Sequence, residues 1–166
     1  DWLILQLGRG RQAWAAGNDI YLSLGDKAAP YDYFLLSSDL GSIRFRYFHG
    51  FLENINQNNR YLVGKGLEYT NKQNFVCSFS EIVIYSGENR PLDFAYFNPL
   101  GTHLEIELNN KQNRQGLFSG NGVWQLSLDY MLNNKIRLSS NFLVDEIILD
   151  KVQKNEGKTN GLAGSF

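Results

Sequence analysis

The sequence predicts an all-β fold, an antiparallel up-and-down meander that forms part of a transmembrane β-barrel. Three observations predict it. Apolar and polar residues alternate with period two through most of the chain, with almost no helical periodicity. Many of the alternating runs reach about ten residues, enough to cross a bilayer at a tilt. Very short turns (NKQN, LNNK) alternate with longer polar loops (ENINQNN, NNKQNRQG, KNEGKTNG), as they do where a barrel has short turns at one rim and long loops at the other.

WLILQLG reads as a mostly apolar opening strand, and DIYLSLG, from Asp19, as a short alternating run. YDYFLLSS leads through a turn at Asp39–Gly41 into SIRFRYFHGFLE. There Ile43, Phe45 and Tyr47 share one phase and Arg44 and Arg46 the other, so one face is apolar and the opposite one cationic. RYLVGKGLEYT places Tyr61, Val63, Leu67 and Tyr69 on one face with Lys65. In FVCSFSEIVIYS, Phe75, Cys77 and Phe79 alternate with Val76, Ser78 and Ser80. Strict alternation would carry Glu81 into the lipid phase, so a β-bulge near Ser80, or a strand end at the interface, is expected to return it to the lumen beside Arg44 or Arg60. THLEIELN reads as a strand with Leu104, Ile106 and Leu108 opposite His103, Glu105 and Glu107. VWQLSLDYM sets Trp124, Leu126, Leu128 and Tyr130 against Gln125, Ser127 and Asp129. LNNK then closes a hairpin with KIRLSSNFLVDEIILD, and no structure is assigned to the tail that follows.

Bulk composition narrows the function classes. The 166 residues suit one domain, residues 1–166, with 43% hydrophobic and 20% charged side chains. With 16 basic and 17 acidic residues the chain lacks the cationic excess of a nucleic-acid binder, so no nucleic-acid partner is expected. The single cysteine, Cys77, allows neither an internal disulfide nor a cysteine metal site. The chain opens mid-pattern and stops abruptly at NGLAGSF, so it reads as an internal piece of a longer barrel protein, with a signal peptide expected upstream.

Catalytic readings find little support. LQLGRGRQA offers G-x-G-x-x-A after a strand, but WAAGND leaves no room for the helix that a dinucleotide site needs. A glycosidase needs two carboxylates held at a fixed spacing, and beyond the abundance of Glu68, Glu81, Glu105, Glu107, Asp129, Asp145 and Glu146 nothing points to such a pair. They read instead as partners of lumen arginines, in a charge network of Arg44, Arg46, Arg60, Glu68, Glu81, Asp129, Arg137 and Asp145. His49 and His103 stand in no metal spacing, so no metal and no cofactor is expected. Tyr31, Tyr33, Phe94, Tyr96 and Phe97 lie in or beside loops, where aromatic faces suit sugar rings. In DFAYFNP, Tyr96, Phe97 and Asn98 are the ligand-binding candidates, and INQNN after Ile55 offers further amides to sugar hydroxyls. Tyr-x-Asn-Pro reads equally as a rigid turn.

Several stretches, in order, resemble the Wzi-type capsule assembly family of outer-membrane proteins. These are LQLGRGRQAWAAGND…LLSSD, SIRFRYFHGFLE, NNRYLVGKGLEYTNKQNFVCSFSEIVIYSG with YFNP, GLFSGNGVWQLSLDY and FLVDEI. The resemblance implies a many-stranded barrel in the cell outer membrane that helps retain capsular or extracellular polysaccharide as a lectin, not as an enzyme. Its expected partners are that polysaccharide and outer-membrane lipid, and the expected state is a monomer. Two alternatives share the pattern: a general porin-like channel, and a soluble all-β carbohydrate-active enzyme.

Overall fold

In a computed structural model, which describes residues 2–14, 21–106, 120–133, 135–145 and 161–166, the alternating segments form one sheet. Its strands are β1 (Ile4–Gly10), β2 (Tyr31–Asp39), β3 (Ile43–Phe51), β4 (Asn58–Thr70), β5 (Phe75–Glu88), β6 (Gly120–Leu132), β7 (Ile136–Asp145) and β8 (Gly161–Ser165). All eight pair antiparallel in sequence order, and the sheet is not closed: β1 and β8 are its edges. In such a meander successive connections fall at opposite ends. The short ones (40–42, 71–74, 133–135) therefore share one end and the long ones (11–30, 52–57, 89–119, 146–160) the other, which is the asymmetry the sequence predicted. The β3–β4 connection tightens to a two-residue turn between Ile55 and Asn58, with Asn56 and Gln57 at φ 50° and 66°.

Directly paired residues share a face, and the register assigns every strand. One face carries Leu5 and Leu7, Phe34 and Leu36, Ile43 to Phe51 in steps of two, Leu67, Phe79, Leu126, Phe142 and Leu162. The opposite face carries Arg44, Arg46, Glu68, Ser78, Ser80, Gln125, Ser127, Asp129, Arg137 and Asn141. The expected separation of Ile43, Phe45, Tyr47, Leu126 and Leu128 from Arg44, Arg46, Gln125 and Asp129 is therefore present.

Each face also changes character along the strands. Toward the short turns the first face is apolar and open to the surroundings. Leu67 and Phe79 are each 54% exposed, and Ile43, Tyr69, Leu126, Tyr130, Leu138 and Phe142 are exposed too. This open band runs Trp124–Leu132 and Ile136–Val144 along β6 and β7, and narrows to Ile43–Phe45 and Leu67–Tyr69 on β3 and β4. Toward the long connections, Tyr47, Val63, Val83 and Tyr85 of the same face are buried under Tyr96 and Ile106. The second face inverts as well. Arg44, Arg46, Glu68 and Asp129 lie toward the short turns, whereas Tyr31, Tyr33, Leu35, Phe48, Leu62 and Ile82 form an apolar cluster beneath Trp14 at the other end. Two-sided burial at one end and a bare apolar face at the other is not the uniform lipid-and-lumen division that alternation alone implied.

Three sequence expectations are corrected, and the tail, to which none was attached, gains a strand. The ladder through Ser80 is regular, with Ser80 opposite Gly66 and Gln125 and Glu81 opposite Lys65 and Trp124, so no bulge removes Glu81 from the face of Phe79. THLEIELN is not a strand across its described part: residues 103–106 form a helical turn. Its His103 and Ile106 are buried while Glu105 is exposed, a three-residue spacing that only a helix brings to one side. Tyr31 and Tyr33 belong to β2 and are buried rather than presented by a loop. The tail contributes β8, paired to β7 from Asn141↔Ser165 to Asp145↔Gly161. The loops NNKQNRQG and most of KNEGKTNG, EIILD after Asp145, and the start of DIYLSLG lie outside the described residues.

Candidate functional site

Two segments cover the sheet, one on each face, and they gather most of the chemistry-bearing side chains. On the first face the β5–β6 connection forms a strap. Asp93 starts it by accepting from the Ala95 N–H at 3.0 Å, and a 3-10 turn follows at Phe94–Phe97. The Asn98 side chain accepts from the Leu100 N–H across Pro99 at 3.0 Å, which fixes the chain direction there. Tyr96 stacks on Tyr85 at 4.3 Å and Phe97 on His49 at 4.4 Å. The strap can lie this close because β6 begins with glycines. A Cβ at Gly122 would come 2.6 Å from the His103 ring.

Beneath the strap His49 is fully buried between two tyrosines, its Nδ1 3.2 Å from the Tyr47 hydroxyl and its Nε2 2.9 Å from that of Tyr85. Tyr47 donates to the Tyr96 carbonyl at 3.0 Å, so it accepts from His49, and the assigned tautomer is neutral with Nδ1 protonated. Further along the face, Lys65 and Glu81 form a buried ion pair at 3.2 Å. Glu81 also accepts from the Trp124 indole N–H at 2.9 Å and the His103 N–H at 3.0 Å, while Lys65 donates to the Gly101 carbonyl. The alternation therefore runs unbroken through Glu81, against the expected bulge. Glu81 stays in the apolar phase because the strap and Lys65 satisfy it. A pocket of about 220 Å³ opens beside this pair, walled by Phe45, Leu67, Phe79, Leu100 and Trp124.

On the second face the β1–β2 connection crosses the sheet. Trp14 bridges to Leu24 and lies against Gly66, where a Cβ would come 2.6 Å from the indole. Gln125, on β6, fastens this cover: its Oε1 accepts from the Ser23 N–H at 2.9 Å, and its amide donates to the Trp14 carbonyl at 3.3 Å and to Ser127 at 2.9 Å.

Of the predicted charge network, seven members share this second face and only Glu81 lies on the other. The seven are not joined into one network. Arg44 bridges Glu68 at 3.1 Å and Asp39 at 3.2 Å. Arg60 pairs with Glu53 at 3.2 Å. Arg137 grips Asp129 through two bonds, of 2.7 and 2.9 Å, and Ser139 adds a third at 2.6 Å. Arg46 instead lies over the Trp14 ring, 5.6 Å from its centroid. Asp145 stands opposite Gly161 with one buried carboxylate oxygen that no described group engages.

Of the ligand candidates, Tyr96 is 0% exposed and offers a ligand no surface, Phe97 is half-buried on His49, and Asn98 is exposed but spent on its turn. The most exposed aromatic among the described residues at that rim is Phe94, at 78%. INQNN opens at the same rim: the Asn59 amide donates to the Arg90 carbonyl at 2.7 Å, and the Asn89 N–H to that of Gln57 at 2.7 Å. Sequence reasoning missed the two covers. The signal for them was the glycines within strands, Gly66 in VGKGLEY and Gly122 in SGNGVW, since a strand glycine often marks a close approach. Comparison with known protein families, with curated proteins and with solved structures gives no match to this chain.

Proposed function

We propose that this chain is a segment of a non-catalytic outer-membrane β-barrel that takes part in assembling or attaching capsular or extracellular polysaccharide at the cell surface. The observation that carries the membrane part is the open apolar band toward the short turns, backed on the other face by buried Ser78, Ser80, Gln125, Ser127, Asp129 and Asn141. A sheet in water puts its polar face outward. Here those six polar side chains are enclosed while Leu67, Phe79 and Leu138 are bare, as on the lipid side of a barrel. Tyr69 and Phe75, with centroids 6.4 Å apart, and Tyr130 stand at the short-turn margin, where an aromatic girdle belongs. Strands β4 to β7 have 10 to 14 residues, enough to cross at a tilt. The two edges would pair with further strands of the complete barrel.

The polysaccharide part rests on the resemblance to the Wzi-type family, and the rim supplies chemistry to match: Phe94 for ring stacking, and the amides of Asn56, Gln57 and Asn58 for hydroxyls. The cover fastened to Gln125 occupies the polar face, which favours attachment over open conduction.

One substitution separates lipid from water around the band. Phe79→Arg should reduce assembly into liposomes sharply, since an arginine at mid-membrane costs about 2–4 kcal/mol. In water the same change at a half-exposed position should stay within about 0.5 kcal/mol. Protease protection after reconstitution reads the difference, with Arg44→Gln as a control that inserts normally. Equal protection of Phe79→Arg and the parent chain would remove the membrane reading.

A further inference from the structure

We propose that the short-turn end of the polar face holds a binding site for a carboxylate-bearing sugar, with Arg46 as the residue that grips the carboxylate. The site lies in a basin of about 470 Å³ lined by Trp2, Ile4, Ser37, Asp39, Arg44 and Arg46, within the size range of small-molecule sites. A smaller recess of about 90 Å³ under Trp14 adjoins it through the same two arginines.

The two arginines are in different states. Arg44 is satisfied, bound to Glu68 at 3.1 Å and to Asp39 at 3.2 Å. Arg46 is half-buried between Trp14 and the sheet, and among the described residues it forms neither a hydrogen bond nor an ion pair. Its cross-strand neighbour Gly66 has no side chain to offer. A partly desolvated guanidinium with idle N–H donors gains from an anion that can accept two of them side by side, and a carboxylate has that geometry.

Charge and shape select the anion. Asp39 and Glu68 border the basin and its recess, so they repel a phosphate dianion more than a carboxylate monoanion. Trp2 is 73% exposed on the basin wall, with its carbonyl held by the Ser38 hydroxyl at 2.6 Å. Its indole gives a sugar ring a face to stack on, and Ser37 and Asp39 give hydroxyl groups polar partners. The sugar class rests on the polysaccharide reading above, whereas the anion site rests on Arg46 alone.

Titration of the full chain with a glucuronic-acid oligosaccharide, its carboxyl-reduced counterpart and inorganic phosphate tests the site through tryptophan fluorescence. The uronate should bind about tenfold or more tighter than the reduced sugar, as one charge-assisted contact implies. Arg46→Gln should erase that difference, Arg46→Lys should recover part of it, and Arg60→Gln should leave it intact. Equal binding of both sugars, untouched by Arg46→Gln, overturns this site and leaves the polysaccharide reading standing. Phosphate binding as tight as the uronate overturns the sugar assignment. Binding of none of the three probes overturns both the site and its sugar.

Discussion

Replacing Glu81 with Leu is expected to destabilise the chain by about 3–5 kcal/mol, the usual effect of breaking a buried ion pair from one side. Glu81 and Lys65 are 4% and 7% exposed. With the carboxylate gone, Lys65 keeps only the Gly101 carbonyl, and the Trp124 and His103 N–H groups lose their acceptor. Lys65→Met should cost a similar amount. The double variant should be more stable than either single one, because two apolar side chains replace two charges that had lost their hydration. Urea unfolding of the four chains measures the coupling. A single substitution costing under about 1 kcal/mol, as at an exposed pair, or a double variant as unstable as the sum of the singles, would show that the strap does not seal this pair.

The same pair marks the limit of what the sequence told. The existence and order of β1 to β7 and the alternation of short and long connections were legible because period-two patterning is a local signal and a meander joins each strand to the next. Face assignment was legible for the same reason except at Glu81, which keeps the alternation that the expected bulge would have broken. The environment of each face was not legible, because burial depends on segments brought back from elsewhere in the chain. Trp14 reaches Gly66, and Ser23 reaches Gln125 on β6. Nothing near Glu81 in sequence announces Lys65 or His103 as its partners. The stretch THLEIELN misled because a few residues of alternation fit a helical turn as well as a strand. β8, with the sequence GLAGS, has too little pattern to be read alone and exists through its pairing with β7. Among the site residues, Tyr96 and Phe97 are aromatics of a loop by sequence position. Their rings, however, turn down onto Tyr85 and His49.

That placement yields the second large effect. Tyr96→Ala is expected to cost about 3–5 kcal/mol, the range for removing a large buried aromatic. Its ring lies nearly parallel to Tyr85, 8° from coplanar, and packs so close to β6 that a Cβ at Gly120 would come 2.9 Å from its hydroxyl. Losing the ring leaves a cavity against Val83 and Tyr85 and loosens the carbonyl that accepts from Tyr47, and with it the partners of His49. Phe94→Ala two residues away should shift stability by no more than about 0.5 kcal/mol, because that side chain is exposed. Measuring unfolding and polysaccharide retention for both variants separates anchoring from binding. Tyr96→Ala should lose stability and, through the collapsed strap, retention. Phe94→Ala should lose retention while unfolding normally. A stable Tyr96→Ala chain would mean that the strap does not depend on this stack. Full retention by Phe94→Ala would move the sugar contact away from the rim that Phe94 shares with Asn56, Gln57 and Asn58.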